Sequence, residues 1–326
     1  MNIGKVPNDI LKEIILGKIK TTRKEVLVRP KIGEDCAVID FGDYVCVLSS
    51  DPITGAVNEV GRLAVHVSCN DVASCGVEPL GLMVTILAPD GTTENDLDIV
   101  MGQICDTAAP LNIDIIGGHT EITNSVNRFV IISTAVGRAL SGKVINTSGA
   151  KPGNSIILTK SAGIEGTAII AHDKEEILIK NLGKELVSNA KSFIKYISVV
   201  KEGIIAGEFG ATAMHDVTEG GVLGALWEVT EASDAGAKIF REKIPIENET
   251  QKICDYFSID PLKLISSGCM LITCEDGEGM VNKLVSNGIK ATIIGVVTEG
   301  STRHILDGQA AEEIQQPGSD ELYRVV

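Results

Sequence analysis

Aromatic side chains are scarce in this sequence: Phe, Tyr and Trp make up 3% of 326 residues, with a single Trp. That supply builds few stacking platforms for unpaired bases. Basic side chains are also in deficit, 29 Lys and Arg against 44 Asp and Glu, for a formal charge of −15. Such a chain has no basic field with which to displace counterions, which argues against nucleic acid and anionic membranes as partners. No apolar run approaches ~18 residues, so no membrane-spanning helix is predicted. The first residues lack the charged-then-apolar pattern of a secretion signal. The eight cysteines (Cys36, Cys46, Cys69, Cys75, Cys105, Cys254, Cys269 and Cys274) form no C-x-x-C pair and no Cys/His cluster with zinc spacing. They read as reduced thiols packed as small hydrophobes. A soluble, cytoplasmic protein is the expectation.

What is present is length, aliphatic residues and 34 glycines. The length predicts two domains, each with residues enough for a core. An amphipathic helix is predicted over 8–20, with Asn8 as cap and Ile10, Leu11, Ile14, Ile15 and Ile19 as its stripe. A hairpin follows, with strands 36–41 and 44–50 about a Gly42-Asp43 turn. Next come a helix over 58–74 stopped by Gly76, a strand over 81–87 and a helix over 93–109. Thr93 and Asp96 have capping-box spacing at the start of that helix. Strands at 113–116 and 129–136 complete an α+β unit. Breaker residues at 150–154 mark a boundary, dividing the chain into domains 1–150 and 151–326. In the second, strands are predicted at 155–160, 213–214, 237–240, 269–273 and 291–297. Helices are predicted through 209 and at 222–233, 250–256 and 279–286.

A negative charge does not exclude a triphosphate, because carboxylates can hold it through Mg²⁺. Three aspartates stand at ends of predicted elements: Asp35 in Gly33-Glu34-Asp35-Cys36-Ala37-Val38, Asp51 in Ser49-Ser50-Asp51-Pro52, and Asp71 in Asn70-Asp71 before Gly76 and Pro79. Each taken singly also reads as a local turn acid. The hairpin, however, brings Asp35 and Asp51 to one sheet end. Gly117-Gly118-His119-Thr120-Glu121 follows a strand, where paired glycines let N–H groups approach an anion and Glu121 adds an oxygen donor; a tight turn explains the glycines equally. His215-Asp216-Val217-Thr218-Glu219-Gly220-Gly221 sits before a helix, a phosphate-binding arrangement in which Asp216 can hold a metal or take a proton. Gly137 to Val144 nearly spells a P-loop, but Val144 replaces the hydroxyl and no helix follows.

These five motifs, in this order and at these separations, resemble the superfamily of aminoimidazole ribonucleotide (AIR) synthetase, thiamine-monophosphate kinase, selenophosphate synthetase and the hydrogenase-maturation protein HypE. The HypE form is nearest, through Gly61-Arg-Leu-Ala-Val-His66 and Gly153-Asn-Ser-Ile-Ile157. The resemblance implies a two-domain α+β fold. Its N-terminal α/β domain closes a β-barrel shared across a homodimer, and its C-terminal domain is an α/β sandwich. It implies ATP and Mg²⁺ as cofactors and phosphoryl transfer to a small-molecule or carrier-borne substrate. It places Asp35, Asp51, Asp71 and Glu121 on metal. Asn70, Gly117, Gly118, Thr120, Gly220 and Gly221 join the aspartates around the nucleotide, with Asp216 and His119 as catalytic groups. Alternatives are an ATP-binding maturation factor acting through a partner protein, or a kinase like thiamine-monophosphate kinase. Two family features have no counterpart here. The last cysteine is Cys274, far from a C-terminal reacting thiol, and residues 1–30 contain neither a Cys nor a glycine-rich loop.

Overall fold

The computed structural model describes residues 4–54 and 59–326. Two mixed sheets organise the chain. The first has the order β1-β2-β3-β6-β4-β5, with β1 at Val26–Val28, β2 at Ala37–Asp40, β3 at Tyr44–Ile53, β4 at Pro79–Ala88, β5 at Asp114–Ile122 and β6 at Val130–Leu140. Only the β4–β5 pair is parallel. The predicted hairpin is present, with Ala37 opposite Leu48 and Asp40 opposite Val45. β1 was not anticipated: three residues are too few to show alternation.

Preceding the sheet, α1 (Asn8–Ile10) runs into a π turn at Leu11–Ile15 and a 3₁₀ turn at Leu16–Lys18. The helix expected over 8–20 is thus present as a helical run over 8–18 in mixed α, π and 3₁₀ geometry, but its amphipathic burial is corrected. None of its residues is buried, Pro7 rather than Asn8 occupies the N-cap position, and Ile14, Ile15 and Ile19 face solvent because no element among the described residues covers them. Two helices pack on the sheet, α2 (Val60–Ser74) and α3 (Glu94–Ala108). The predicted start of α2 at residue 58 lies outside the described residues. Thr93 caps α3 with the reciprocal Asp96 bonds of a capping box.

The second sheet follows the order β13-β12-β9-β11-β7-β10-β8. Its strands are β7 (Ser155–Thr159), β8 (Ala213–Asp216), β9 (Gly236–Phe240), β10 (Met270–Cys274), β11 (Ala291–Thr298), β12 (Arg303–Asp307) and β13 (Ala310–Glu313). The last two extend the domain beyond the predicted final strand. The broad helical region before residue 209 resolves into α4 (Ile164–Asp173), α5 (Glu175–Leu182), α6 (Lys184–Lys191) and α7 (Val200–Phe209). Then come α8 (Gly221–Ala232), α9 (Asn248–Phe257) and α10 (Gly277–Ser286).

What positions the site is the contact of α2 with the second domain. α2 is buried along nearly its whole length. It lies against α7 so closely that a Cβ on Gly203 would sit 2.1 Å from the Ala73 carbonyl oxygen. Asn70 closes the seam: its Nδ2 donates to the Ile197 carbonyl at 2.8 Å, and its Oδ1 accepts from the Val199 N–H at 2.8 Å. Two buried backbone groups that would otherwise lack partners are thus satisfied from the other domain.

A carboxylate-walled cleft as the candidate active site

A cavity of about 580 Å³ opens between the first sheet with α2 on one side and α4 with loops of the second domain on the other. Asp35, Asp51 and Asp71 all line it. Asp35 precedes β2, Asp51 lies near the end of β3, and Asp71 is in the last turn of α2, so hairpin and helix deliver them from three segments. Hydroxyls tie them together. Ser49 Oγ lies 3.2 Å from Asp51 Oδ2 and bonds Asp71 Oδ2, while Ser74 Oγ bonds Asp35 Oδ2 at 3.0 Å. Asp216, the last residue of β8, joins them from the second domain at 1% exposure. Neither of its carboxylate oxygens has a hydrogen-bond partner among the described residues.

Burial pushes the Asp216 carboxyl up to about 7, with Asp35 adding to the rise and His215 opposing it. Asp71 is raised as well, first by burial and then by the charges of Asp216 and Asp51. Several carboxyls crowded out of water repel one another, and a divalent cation relieves them. His215 does not offer itself as a ligand, although it stands with Asp35 and Asp216 in a group of metal-ligating side chains. Its Nδ1 is 2.7 Å from Asp35 Oδ2 and its Nε2 2.8 Å from Glu228 Oε2, so both nitrogens are committed. Burial pulls its pKa down, but Asp35 and Glu228 outweigh that and hold it well above the usual value. It is an imidazolium clamped between two carboxylates, orienting Asp35.

Several residues singled out in the sequence fall elsewhere. Gly117, Gly118, His119, Thr120 and Glu121 form no loop. They lie in β5, the edge strand, and none of them lines the cavity of this chain. His119 Nε2 is 3.5 Å from Glu121 Oε2, both well exposed. The glycines answer to packing rather than to an anion: Gly118 has φ of 151°, and a Cβ there would sit 1.8 Å from the Val84 carbonyl oxygen of β4. Asn70 is spent on the domain seam. Gly220 and Gly221 do begin α8, but the Gly220 N–H already donates to Asp320 Oδ2 at 2.7 Å, so the chain's own carboxylate takes the place expected for phosphate. Thr218 and Glu219 of the same loop line the cavity.

Other cavity residues carried no functional signal in the sequence. Lys5 is the one basic side chain among the described residues lining the cavity. Its N–H donates to Glu219 Oε2 at 3.1 Å, and Tyr323 Oη donates to Glu219 Oε1 at 2.8 Å, so one carboxylate ties the N-terminal segment to the C-terminal turn. Lys5 as a whole residue is exposed, yet it lines the cavity. Burial lowers the pKa of its ammonium, but Glu228, Glu219, Asp35 and Asp216 outweigh the burial and raise it. Glu165 and Ser267 form part of the opposite wall. Only Cys36 of the eight cysteines lines the cavity.

Residues 33–139 match the N-terminal domain, and residues 151–307 the C-terminal domain, of AIR synthase related protein. A protein of Methanocaldococcus jannaschii whose name assigns it to hydrogenase expression and formation is 31% identical over 332 aligned positions, covering 99% of this chain and 97% of that one. The chain belongs to the AIR synthase related family. Carbamoyl dehydratase HypE of Rhizobium leguminosarum bv. viciae is a more distant relative, 28% identical over 73% of this chain and 68% of its own. Among solved structures of this fold, the chain is similar to one from a HypE–HypF complex (TM-score 0.76, 21% identity, 94% of this chain and 99% of that one). It is also similar to ThiL complexed with AMPPCP and TMP (0.75, 16%, 96% and 99%) and to HypE in complex with ATP (0.70, 18%, 99% and 98%). The family's two-domain α+β architecture with mixed sheets is the one described above.

Proposed function

We propose that this chain is an ATP- and Mg²⁺-dependent enzyme that transfers a phosphoryl group to a small-molecule or carrier-borne substrate in the cleft between domains 1–150 and 151–326. The observation that carries this reading is the convergence of Asp35, Asp51, Asp71 and Asp216, with both Asp216 oxygens buried and unpartnered. These hard oxygen donors fit Mg²⁺. Bound there, the metal would neutralise the phosphates that the carboxylates would otherwise repel. The chain's own part is positioning: the Ser49 and Ser74 hydroxyls and the His215 imidazolium fix the carboxylates, and Lys5 adds a cation near them. Relatives of this fold solved with ATP and with AMPPCP support a nucleotide. Calorimetric titration with Mg·AMPPCP tests the proposal. Failure of the wild type to bind, or undiminished binding after Asp35→Ala with Asp71→Ala, would sink it.

A homodimer belongs to the same reading. β5 is a free edge strand exposed along nearly its whole length; its own Ile116 and Ile122, with Leu80 and Met83 of β4, present apolar surface there. Long bare edges with apolar neighbours are rarely left uncovered. A second copy closing a shared barrel would cover this edge and bury Gly117, Gly118, His119, Thr120 and Glu121 at the interface. A second reading, a maturation factor acting through a partner protein, is favoured by the HypE–HypF complex and the M. jannaschii relative. Recovery of a stable, ATP-sensitive complex from the native host supports it, and repeated recovery of homodimer alone counts against it. Thiamine monophosphate is the acceptor to assay first for the kinase alternative, because ThiL complexed with TMP shares the fold.

A further inference from the structure

The overall deficit of basic residues hides one local excess. Seven of the 29 Lys and Arg fall between residues 12 and 31, against two of the 44 Asp and Glu. Among the described residues, Arg23 alone of the seven has an ion-pair partner, Glu25 at 3.3 Å, while Lys12, Lys18, Lys20 and Lys24 stand exposed without one. Ile14, Ile15 and Ile19 in the same stretch are each more than half exposed, as is Leu27 on the free edge strand β1. Uncovered aliphatic groups set among charges have the anatomy of a protein-docking surface. The stretch also adjoins the cleft. The chain leaves the cavity wall at Lys5 and rejoins it at Pro30, and Lys31 Nζ donates to the Ala232 carbonyl of the second domain at 3.3 Å.

Charge and extent narrow the occupant. Lysines without carboxylates of their own complement an acidic partner. An anionic membrane or a nucleic acid presents an extended negative surface, which would also meet the acids that give this chain its charge of −15. A small protein need touch only the basic stretch. Phosphates would in any case leave Ile14, Ile15 and Ile19 in water, whereas a protein surface can cover them. A symmetric contact between two copies through this stretch would set lysines against lysines.

We propose that residues 8–29 form the docking surface for an acidic carrier protein, whose aliphatic side chains cover Ile14, Ile15 and Ile19 and whose carboxylates meet Lys12, Lys18, Lys20 and Lys24. Because this surface starts and ends at the cavity wall, a carrier seated on it holds its pendant substrate beside the cleft. Calling the partner a substrate carrier rests on the carrier-borne form of the phosphoryl-transfer reading; docking of an acidic, partly apolar protein surface does not.

Fluorescence anisotropy on the full chain tests the docking. The probe is a helical peptide of about 20 residues with Leu along one face and Glu elsewhere. One control peptide replaces Leu by Ser, the other Glu by Lys. The acidic amphipathic peptide should bind, more weakly as salt is raised, with both controls about tenfold weaker or undetectable. Lys18→Glu with Lys20→Glu and Lys24→Glu should weaken it about tenfold, and so should Ile15→Ser with Ile19→Ser. Absence of binding, equal binding of the controls, or binding undiminished in both variants overturns the proposal. Tighter binding to phosphatidylglycerol vesicles or to single-stranded RNA than to the peptide also overturns it. So does a lysine variant that sediments as a smaller species than the wild type, which would give the stretch to a contact between copies. The carrier role is read separately. A protein cross-linked in the native host through a photoreactive residue in place of Ile19 should raise ADP release by the wild type and not by the lysine variant; a captured protein without that effect overturns the role. Calorimetry with Mg·AMPPCP should give the wild-type affinity in both variants, so failure of the nucleotide site is not mistaken for failure of docking.

Discussion

Several residues in the cleft work against stability, and that sets the clearest expectations. Glu165 titrates near 7 in the folded chain against a reference of 4.5, so the folded state binds more protons than the unfolded one between those values. Stability should therefore fall as pH rises from about 4.5 to 7 and stay level above, by roughly 3 kcal/mol for a fully buried group. Glu165→Gln should flatten that part of the profile, raising the urea midpoint at pH 8 and leaving it unchanged near pH 4. Asp216→Asn removes a buried carboxyl that burial and Asp35 disfavour in its charged form more than His215 favours it, and should raise the melting temperature of the ligand-free protein, by roughly 2–4 °C for each kcal/mol recovered. The same variant should lose the further rise that Mg·AMPPCP gives the wild type; a rise as large as the wild type's would remove Asp216 from the metal site. Lys5→Ala should weaken AMPPCP binding about tenfold, the scale of one lost hydrogen bond to a charged group. Calorimetry would show the difference, and an unchanged affinity would leave Lys5 as a tie to Glu219 alone.

Elements were legible where their own residues decide their shape. The Gly42-Asp43 hairpin, the Thr93 cap of α3 and the Gly76 stop of α2 rest on turn and cap chemistry within a few residues, and all three stand in the structure. Legibility failed where the partner decides. Gly117-Gly118 reads locally as a turn, yet it is strand, because β4 comes too close for any side chain at Gly118. β12 and β13 were missed since both are short and β13, Ala310–Glu313, is exposed throughout. Asp35, Asp51 and Asp71 were found because a hairpin and a helix end could be placed from sequence. Lys5 and Glu165 were not, since only the tertiary fold brings them to the cleft, nor was Glu228, which the fold sets against His215. The seam between α2 and α7 is another such case, and it gives a sharp expectation. Gly203→Val would drive a side chain into the Ala73 carbonyl and should destabilise by roughly 1–3 kcal/mol through overpacking. Denaturation monitored at both domains should show loss at the shared seam; a midpoint equal to wild type would mean that α7 shifts freely.

The chain is acidic overall; it gathers several buried carboxylates at one cleft and leaves an apolar sheet edge uncovered. Those two features are linked through the first sheet. β3 carries Asp51 and is separated from the bare edge strand β5 by β6 and β4. Covering β5 would fix the sheet from which Asp51 projects, so assembly and nucleotide binding should be coupled. Coupling of this kind is reciprocal: nucleotide must favour the assembled form by the factor with which assembly favours nucleotide. Met83, 51% exposed on β4, gives a direct handle. Met83→Asp, combined with Ile116→Asp on β5, places like charges facing each other across any two-fold contact through this face and should yield a monomer by analytical ultracentrifugation. Its AMPPCP affinity should fall while circular dichroism stays that of the wild type. A double variant that remains dimeric would move the interface to another face, and a monomer with full affinity would show each cleft to be complete in itself.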